Sequence, residues 1–466
     1  MRRRVLAINW EMPPLSGPRA VQVSRTLKHL VPLGWESSVV CFGPRSGRYN
    51  QDRQLASQLR ATDGVTLVPV ASAEERLFFR ALWRVAPPVK LLPDEKWVWI
   101  RAASRAACRL ARTERFDVLV SFGQPWSDHL IGLRVHRATG LPWVAHFSDP
   151  WVDSPYLRGR RWQWRLWQRM EADVVRQANA LIFTNSQAAD RVMRKYPADW
   201  RGKVHVVPHG FELAEHQKLS TTEDTEDTEW QNHKALSSVS PVSTVVESFA
   251  ADVVESSDAD VVESFDTDVV ESSCTDHRDD RLTIVYTGRF YDGIRTPEPL
   301  LRALALIATR RPLACELHVA FVGTPVPSHR HLATRLGLDD VVEFAGRVPF
   351  AESARRAAHA DVLLVIDAPS DESLFLPSKL VDYLPLDKPI LALTPPRGAS
   401  ADLIRRLGYP VIQPDDVGAI ASAIEALVDA KRQGRLGIAE HHRSVAQQYD
   451  IRRTAGAFAG ILERVS

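Results

Sequence analysis

The chain has 466 residues, of which 45% are hydrophobic and 25% are charged, and its formal net charge is +2. This length exceeds that of a typical single domain, so the sequence predicts two core domains. No stretch of about 18 uninterrupted apolar residues occurs, which argues against a transmembrane helix. The apolar run after Met1 is too short for a signal peptide, so we expect a cytoplasmic protein.

The near-neutral net charge of the whole chain conceals an acidic central segment. Residues 215–280 contain 18 acidic and 3 basic residues, so the rest of the chain is strongly basic. A basic protein body indicates anionic partners, such as nucleotides, lipid phosphates or nucleic acid. Four widely spaced cysteines without a CxxC pair do not indicate a zinc site.

Short apolar runs alternate with helical patterns in the first part of the chain. The predicted strands are Val5–Asn9, Ser37–Phe42, Val65–Val70, Asp117–Ser121, Trp143–Phe147, Leu181–Thr184 and Val204–Val207. Strands that alternate with helices predict a parallel, doubly wound sheet, in which ligands bind at the carboxyl ends of the strands. Those ends carry residues 11–19, Gly123 and residues 146–149.

The same pattern restarts at Leu282 and predicts a second doubly wound domain. Its predicted strands are Leu282–Gly288, Glu316–Val322, Val341–Phe344, Val362–Ile366, Ile390–Leu393 and Pro410–Ile412. Between the two domains, residues 245–276 form four eight-residue repeats that each begin Val-Val-Glu-Ser. This acid-rich, Ser-rich composition predicts a disordered insert, with a regulatory acidic segment as the alternative.

Pro377-Ser-Lys-Leu-Val-Asp-Tyr383 is the most informative stretch, because it predicts a loop followed by a short helix. Three-residue spacing would place Lys379 and Asp382 on one helix face. Ser378 could cap the helix start, where free N–H groups favour an anion. This arrangement suits a sugar nucleotide, with the diphosphate near the helix start and the ribose hydroxyls at the carboxylate. An ordinary amphipathic helix is the alternative.

Six short motifs occur in the order found in one enzyme family. They are Pro13–Arg19, Asp149–Trp151, Val207–Phe211, Tyr286–Phe290, Phe344–Arg347 and Pro377–Tyr383. On these motifs the chain resembles the family 4 glycosyltransferases, which have the GT-B fold, use nucleotide-activated sugars and retain the anomeric configuration. The resemblance implies two Rossmann-like domains that face each other across a cleft. Their bounds would be 1–214 for the acceptor domain, 215–280 for the insert, 281–445 for the donor-binding domain and 446–466 for a C-terminal helix that packs back toward the first domain.

The resemblance also implies roles in a donor site on the second domain. Arg289 and Arg295 would act as catalytic residues that bind the donor diphosphate and stabilise the leaving phosphate. Arg295 stands where the family has a lysine, so the positive charge is kept, but a planar guanidinium replaces a compact ammonium. The other donor-binding residues of this region would be Gly288, Ser378 and Lys379.

The two glutamates of the family's donor site are replaced in this chain. Asp382 stands where the family has the glutamate that holds the ribose, and Leu374 stands where it has the other one. Glu372, two residues earlier, is the candidate substitute. Because Leu374 cannot serve as an acid, two alternatives to a transferase stay open. One is a protein that binds a nucleotide sugar or glycan without turnover, and the other is a GT-B sugar-nucleotide epimerase.

Four residues of the first domain are implied as site residues by the resemblance. Gly17 would let its loop approach the donor phosphates, where a side chain would obstruct, and Arg19 would extend the anion site. His146 would act at the transferred sugar, with a core or interdomain histidine as the alternative. Asp149 would act at sugar or acceptor hydroxyls, with a structural turn residue as the alternative. His146 and Asp149 are therefore candidate catalytic residues.

The implied co-substrate is a nucleotide sugar, and we expect no metal and no other cofactor, because arginines would neutralise the leaving phosphate. The acceptor would be a hydroxyl of a glycan or of a lipid-linked molecule. Trp and Arg residues cluster at 76–101 and 158–169, a composition suited to weak contact with the inner membrane surface. Alternatively, these aromatic residues are core residues. No recognised module supports nucleic-acid binding.

Overall fold

The computed structural model describes residues 2–44, 49, 51–60, 62–73, 92–213, 281–291, 293–324 and 326–466. The insert predicted at 215–280 lies outside the described residues, and so do residues 76–91 of the first Trp/Arg stretch. Within the described ranges, two parallel sheets with packed helices form the centres of two domains. The predicted fold class, two doubly wound α/β domains, is thereby confirmed.

The first domain, in the residues described, is built on a seven-stranded parallel sheet. Its elements in chain order are β1 (Arg3–Ile8), α1 (Pro18–Leu30), β2 (Trp35–Phe42), α2 (Arg53–Arg60), β3 (Val65–Val70), α3 (Ile100–Thr113), β4 (Val118–Gly123), α4 (Ser127–Thr139), β5 (Trp143–Phe147), α5 (Arg161–Gln177), β6 (Ala180–Phe183), α6 (Ser186–Met193) and β7 (Val204–Val206). The strand order is β3-β2-β1-β4-β5-β6-β7.

The second domain repeats this design around a six-stranded parallel sheet, again counted over the described residues. Its elements, with the C-terminal helices, are β8 (Leu282–Thr287), α7 (Glu298–Ala308), α8 (Leu313–Glu316), β9 (Leu317–Val322), α9 (Pro327–Arg335), β10 (Val342–Gly346), α10 (Phe350–Ala358), β11 (Val362–Ile366), α11 (Ser378–Tyr383), β12 (Ile390–Leu393), α12 (Ala399–Leu407), β13 (Val411–Ile412), α13 (Val417–Arg432), α14 (His442–Ala446) and α15 (Ile451–Val465). The strand order is β10-β9-β8-β11-β12-β13.

Both sheets have a switch point beside their first strand. β1 lies between β2 and β4, and β8 lies between β9 and β11. Loops that leave neighbouring strands at such a point diverge and open a crevice at the carboxyl ends. The central strands β4 and β11 are buried along their whole length, as expected where helices cover both faces of a sheet. Continuous apolar runs are therefore the sequence pattern that locates these strands.

The last helix, α15, returns from the second domain to the first. It packs on α1 and β5, and the ring of Phe458 stacks 6.1 Å from that of Phe122. Two backbone hydrogen bonds join the two segments at which the chain passes between the domains. The N–H of Phe211 donates to the carbonyl of Tyr449 at 3.0 Å, and the N–H of Ile451 donates to the carbonyl of Phe211 at 2.9 Å. The end of the chain thus completes the core of the first domain.

Side chains from the two domains also meet directly across the cleft. Three such pairs are Arg25 with Asp382 (2.5 Å between Nη1 and Oδ1), Arg191 with Glu372 (2.6 Å between Nη2 and Oε2) and the stacked rings of Tyr156 and Phe375 (5.0 Å between centroids). The side chain of Arg25 is only 2% exposed, whereas that of Arg191 is 29% exposed. The buried pair is therefore the more strongly constrained contact between the domains.

The tryptophans of the Trp/Arg stretches divide between core and surface. Trp99 and Trp167 are fully buried, so the core alternative is correct for these two residues. Trp162, at the start of α5, is 45% exposed. An aromatic ring therefore remains at the surface beside the arginines of the second stretch.

Candidate active site

The candidate active site lies where the loops that follow the parallel strands of the two domains face each other. On the first-domain side these loops follow β1, β4 and β5, and on the second-domain side they follow β8 and β10 and precede α11. Arg347, after β10, reaches Ser16, after β1, with 3.5 Å between Nη2 and Oγ. The two sets of predicted site residues therefore border one cleft.

Lys379 is the most unusual residue on the second-domain side. Its side chain runs from the first turn of α11 toward the loop after β8, and Nζ lies 3.6 Å from the centroid of the Tyr286 ring. The ammonium group is buried and has no hydrogen-bond partner. Burial lowers the pKa of Lys379 well below its usual value, and Arg295 lowers it further, whereas Asp367 opposes the shift.

Gly288 allows the ammonium group to lie against the backbone. Its φ of 137° falls in the region that favours glycine. A Cβ atom added at Gly288 would lie 2.7 Å from Nζ of Lys379. A side chain at this position would therefore displace the lysine, so the two predicted donor-site residues are in direct contact.

The two predicted arginines flank a single aromatic ring next to Gly288. Arg295 Nη2 donates to the carbonyl of Arg289 at 2.7 Å. The guanidinium carbons of Arg289 and Arg295 lie 5.3 Å and 5.0 Å from the centroid of the Tyr291 ring. The fold thus gathers Arg289, Arg295 and Lys379 into one group of cations, as the sequence predicts.

The prediction that Ser378 caps α11 is wrong. Ser378 is the first residue inside the helix, Pro377 precedes it at the cap position, and no side chain caps the helix start. The proline ring fixes φ near −60°, and its ψ of 129° keeps the chain extended up to residue 377. The helix therefore begins one residue earlier than a serine cap at residue 378 would require.

The two predicted ribose-site acids pair with arginines of the first domain. Asp382 binds Arg25, and Glu372 binds Arg191. Leu374, at the position of the family's other glutamate, is buried. A ribose role for Asp382 would require its carboxylate to serve Arg25 and a hydroxyl together, and this role stays a prediction.

Arg19 is the central cation on the first-domain side. Its Nη2 donates to the carbonyl of Gly123 at 2.5 Å, while Nη1 is buried without a hydrogen-bond partner. Burial lowers the pKa of Arg19, and the carboxylates of Asp149, Glu11 and Asp128 oppose this shift. One guanidinium thus sits among several acids and retains an unpaired donor.

Asp149 and His146 accompany Arg19 at the end of β5. Burial raises the pKa of Asp149 to about 6, although Arg19 opposes the shift. His146 is buried and its Nδ1 has no partner; burial lowers its pKa well below the usual value, and Arg19 and His209 lower it further. A carboxylate that titrates near neutral pH beside a neutral imidazole is suited to proton transfer at a hydroxyl.

Gly17 lies against a carboxylate of the protein itself. A Cβ atom added at Gly17 would lie 1.9 Å from Oε1 of Glu11. A side chain at residue 17 would therefore displace the Glu11 carboxylate from its position. The predicted close approach of a donor phosphate to Gly17 stays a prediction.

Two family models match the chain over most of both domains. A model described as "Glycosyl transferase 4-like domain" matches residues 19–210, and one described as "Glycosyl transferases group 1" matches residues 281–430. The chain belongs to the GT-B glycosyltransferases related to family 4. This assignment favours a glycosyltransferase over the binding-protein and epimerase alternatives. No match to the sequence was found among curated proteins.

Solved structures of low sequence identity share the fold of this glycosyltransferase. Anabaena HepE in complex with UDP and glucose is 14% identical with a TM-score of 0.62, over 99% of this chain and 100% of that chain. Sucrose-phosphate synthase from Thermosynechococcus elongatus is 15% identical with a TM-score of 0.63, over 99% of each chain. The E. coli trehalose-6-phosphate structure bound with UDP-2-fluoro glucose is 12% identical with a TM-score of 0.60, over 99% of each chain.

Three residues near the site of this glycosyltransferase are absent from the sequence-based prediction. The ring of His209, within the matched motif Val207–Phe211, lies 6.0 Å from that of His146. Burial raises the pKa of Tyr156, as does Asp367 across the cleft. Glu11 lies three residues after β1, at a strand end that the sequence marks as a ligand-binding position, but it is not among the predicted site residues.

Two findings concern membranes and metals in the described part of this glycosyltransferase. No helix there is long and apolar enough to span a bilayer. Among the same residues, no group of three or more His, Cys, Asp or Glu side chains is arranged to hold a metal ion.

We predict that Asp149→Asn changes how stability depends on pH. Because the pKa of Asp149 is raised from 3.8 to about 6 in the folded enzyme, the folded state keeps a proton that the unfolded state has lost. The favourable contribution of protonated Asp149 to the free energy of unfolding is therefore present at low pH and is lost as the pH rises through about 6. Midpoints of thermal unfolding, measured between about pH 4.5 and 7.5, should be similar for both proteins at the acid end and higher for Asp149→Asn at the neutral end.

Asp199→Asn is the matched control, because Asp199 is exposed on the same domain. Its unfolding midpoints should follow those of the wild type across the whole pH range. A constant difference between Asp149→Asn and the wild type would contradict the raised pKa of Asp149.

Proposed function

We propose that this glycosyltransferase moves a sugar from a nucleotide diphosphate sugar to a hydroxyl acceptor. The observation that carries the proposal is the buried ammonium of Lys379, which lies against the backbone of Gly288 without a hydrogen-bond partner. Burial of an ammonium group that makes no hydrogen bond is destabilising, and Asp367 offsets this cost only in part, so this position favours an anionic ligand. The neighbouring Arg289 and Arg295 make a diphosphate the fitting anion.

In this reaction the bond between the anomeric carbon and a diphosphate oxygen breaks, and a bond to the acceptor oxygen forms. Negative charge grows on the leaving diphosphate, and preorganised cations stabilise that charge in the transition state. The acceptor hydroxyl gives up its proton, for which the leaving diphosphate and Asp149 are the candidate bases. We expect no metal requirement, because Lys379, Arg289 and Arg295 supply the positive charge.

A small apolar cavity beside Gly288 is the proposed position of the nucleoside base. Its enclosed space has room for little more than a water molecule, so the walls would have to separate to admit a base. Its lining residues are Gly288, Phe290, Phe321, Gly323, Thr324, Phe344 and Gly346. Aromatic and glycine walls suit a flat ring. The HepE structure contains UDP and glucose, and the E. coli structure contains UDP-2-fluoro glucose, which supports a UDP-sugar as the donor.

The first-domain residues would hold the transferred sugar and the acceptor. Arg19 offers an unpaired donor at Nη1, His146 offers an unpaired ring nitrogen, and Asp149 offers a carboxylate that titrates near neutral pH. Together these groups can bind hydroxyls of either partner. We propose a glycan or a lipid-linked molecule as the acceptor.

We predict that Lys379→Met lowers activity and raises stability. Turnover of a UDP-sugar should fall by about 10²–10³-fold, because a preorganised cation is lost. The thermal unfolding midpoint of the ligand-free enzyme should rise, since methionine fills similar space without a buried charge. Both quantities are measured with and without EDTA, which should change neither.

Lys388→Met is the control, because Lys388 belongs to the same domain and is not part of the cation group. It should leave turnover and the unfolding midpoint near their wild-type values. A folded Lys379→Met enzyme with normal turnover would remove Lys379 from the donor site.

We further propose that the configuration at the anomeric carbon is retained, on the basis of the family likeness alone. Proton NMR of the product gives the coupling constant of the new anomeric proton, which should match that of the donor sugar. The opposite anomer would show inversion and would point to a first-domain carboxylate as the base that activates the acceptor. Donor incubated without acceptor provides the baseline for hydrolysis in this assay.

We also propose weak binding of the first domain to anionic membranes. The surface of α5 and of the segment before it carries exposed arginines and one exposed tryptophan, namely Arg158, Arg160, Arg161, Trp162, Arg165 and Arg169. The buried face of α5 holds Trp167 and Glu171, so this arginine face is turned to solvent. Each cation near an anionic surface contributes about 1 kcal/mol, and an interfacial tryptophan adds to binding.

We predict that vesicles containing anionic lipid bind the wild-type enzyme at low salt and release it at high salt. Replacing Arg161, Arg165 and Arg169 with Glu should abolish the binding, because repulsion replaces attraction. The same charge change at three exposed arginines elsewhere, Arg335, Arg435 and Arg453, is the control and should have a smaller effect. Sedimentation measures the bound fraction. Equal binding to neutral and anionic vesicles would refute the proposal and favour a water-soluble acceptor.

A further inference from the structure

The carboxylate of Glu11 occupies the start of α1. It lies near the backbone N–H of Arg19, which lowers the pKa of Glu11 and is the first N–H available in this helix because Pro18 has none. It also packs on Gly17, where an added Cβ would lie 1.9 Å from Oε1 and 2.5 Å from Oε2. A helix start at the edge of a cleft attracts anions, and here a side chain of the enzyme already supplies the anion.

Cations from three separate segments act electrostatically on this carboxylate. Arg19 lies on α1, Lys96 precedes α3, and Arg347 follows β10 of the second domain. Each of the three lowers the pKa of Glu11, whereas burial, the larger effect, raises it. Arg347 also reaches Ser16 in the loop between β1 and α1. Without Glu11, these cations would form an anion-binding site shared by both domains.

The hydrogen-bonding capacity around Glu11 distinguishes two kinds of ligand. Arg19 Nη1 is a buried donor without a partner, so it suits a ligand oxygen that accepts. The nearby carboxylate of Glu11 can only accept, so it suits a ligand group that donates. A hydroxyl can do both, whereas an ionised phosphate oxygen accepts only and would be repelled by the carboxylate.

We propose that Glu11 determines acceptor specificity: it admits an uncharged, hydroxyl-bearing sugar to the first-domain side of the cleft and excludes a phosphorylated one. The inference rests on the proposed transfer reaction, in which the acceptor enters on that side. Glu11 acts by its charge, since it neutralises cations that would otherwise hold a phosphate.

The direct test is the affinity of Glu11→Gln for inorganic phosphate, measured by calorimetry without donor or acceptor. Glutamine keeps the size of the side chain and an oxygen that can accept the N–H of Arg19, but it lacks the negative charge. Phosphate should bind at least about tenfold more tightly than to the wild type, because like-charge repulsion is removed. Glu36→Gln removes a charge from a carboxylate that is 39% exposed on the same domain, and it should bind phosphate like the wild type.

A second substitution tests whether the tighter binding of phosphate depends on the cations near residue 11. Adding Arg347→Gln to Glu11→Gln removes one cation of the cluster and should abolish the tighter binding of phosphate. Equal phosphate affinity of the wild type and Glu11→Gln would overturn the proposal, and so would a gain that persists without Arg347. Thermal unfolding first establishes that each variant is folded. If Glu11→Gln does not fold, Glu11→Ala is used for the same comparison of phosphate affinity.

Acceptor competition extends the test to turnover. The ratio of kcat/KM for a phosphorylated sugar to that for its uncharged counterpart should rise at least about tenfold in Glu11→Gln. Phosphate binding is measured without any transfer, so a failure of the proposed reaction would leave that result intact. Conversely, an unchanged phosphate affinity would reject the role of Glu11 while leaving the donor site at Lys379 untouched.

Discussion

The buried ammonium of Lys379 is the constraint on which the donor side of this enzyme depends. Its contact with the Tyr286 ring, at 3.6 Å, provides about 2 kcal/mol of cation–π attraction in a desolvated setting. An uncompensated buried ion costs several kcal/mol, so the ring alone does not balance the burial. Burial lowers the pKa of Lys379, whereas an anionic ligand beside it would stabilise the ammonium form. Binding of the proposed donor would therefore offset part of the cost of burying this residue.

The two sides of the cleft differ in how their cations are compensated. Lys379 on the second domain has no hydrogen-bond partner, whereas Arg19 on the first domain lies among the carboxylates of Asp149, Glu11 and Asp128. In the proposed reaction, a diphosphate would therefore be attracted to the second domain, and hydroxyl groups would fit the mixed donors and acceptors of the first. This difference in charge, rather than the fold that both domains share, would then decide which substrate binds to which domain.

Sequence reasoning succeeds here where the decisive interactions are local. The strands are found because central strands buried on both faces are continuous apolar runs, and the group of Arg289 and Arg295 follows from their place just after β8. It fails where the partner is remote in sequence. Asp382 pairs with Arg25, 357 residues away, and no local pattern marks that pairing. The cap assigned to Ser378 fails for a finer reason, because Pro377 occupies the cap position and the helix starts one residue earlier, at Ser378 itself.

The pairing of Asp382 with Arg25 bears on how this enzyme can hold a ribose. The Arg25 side chain is 2% exposed, and that of Asp382 is 20% exposed. Breaking a buried pair by withdrawing one partner costs about 3–5 kcal/mol, because the other charge is left uncompensated. The partly exposed pair of Arg191 and Glu372 contributes much less, about 0–1 kcal/mol. If these acids form the proposed ribose site, a hydroxyl would bind to Asp382 without displacing Arg25, or would bind to Glu372, whose ion pair with Arg191 separates at little cost. Of the two acids, Glu372 is therefore the one that a ligand could reorient, while the pair of Asp382 and Arg25 keeps its contact between the domains.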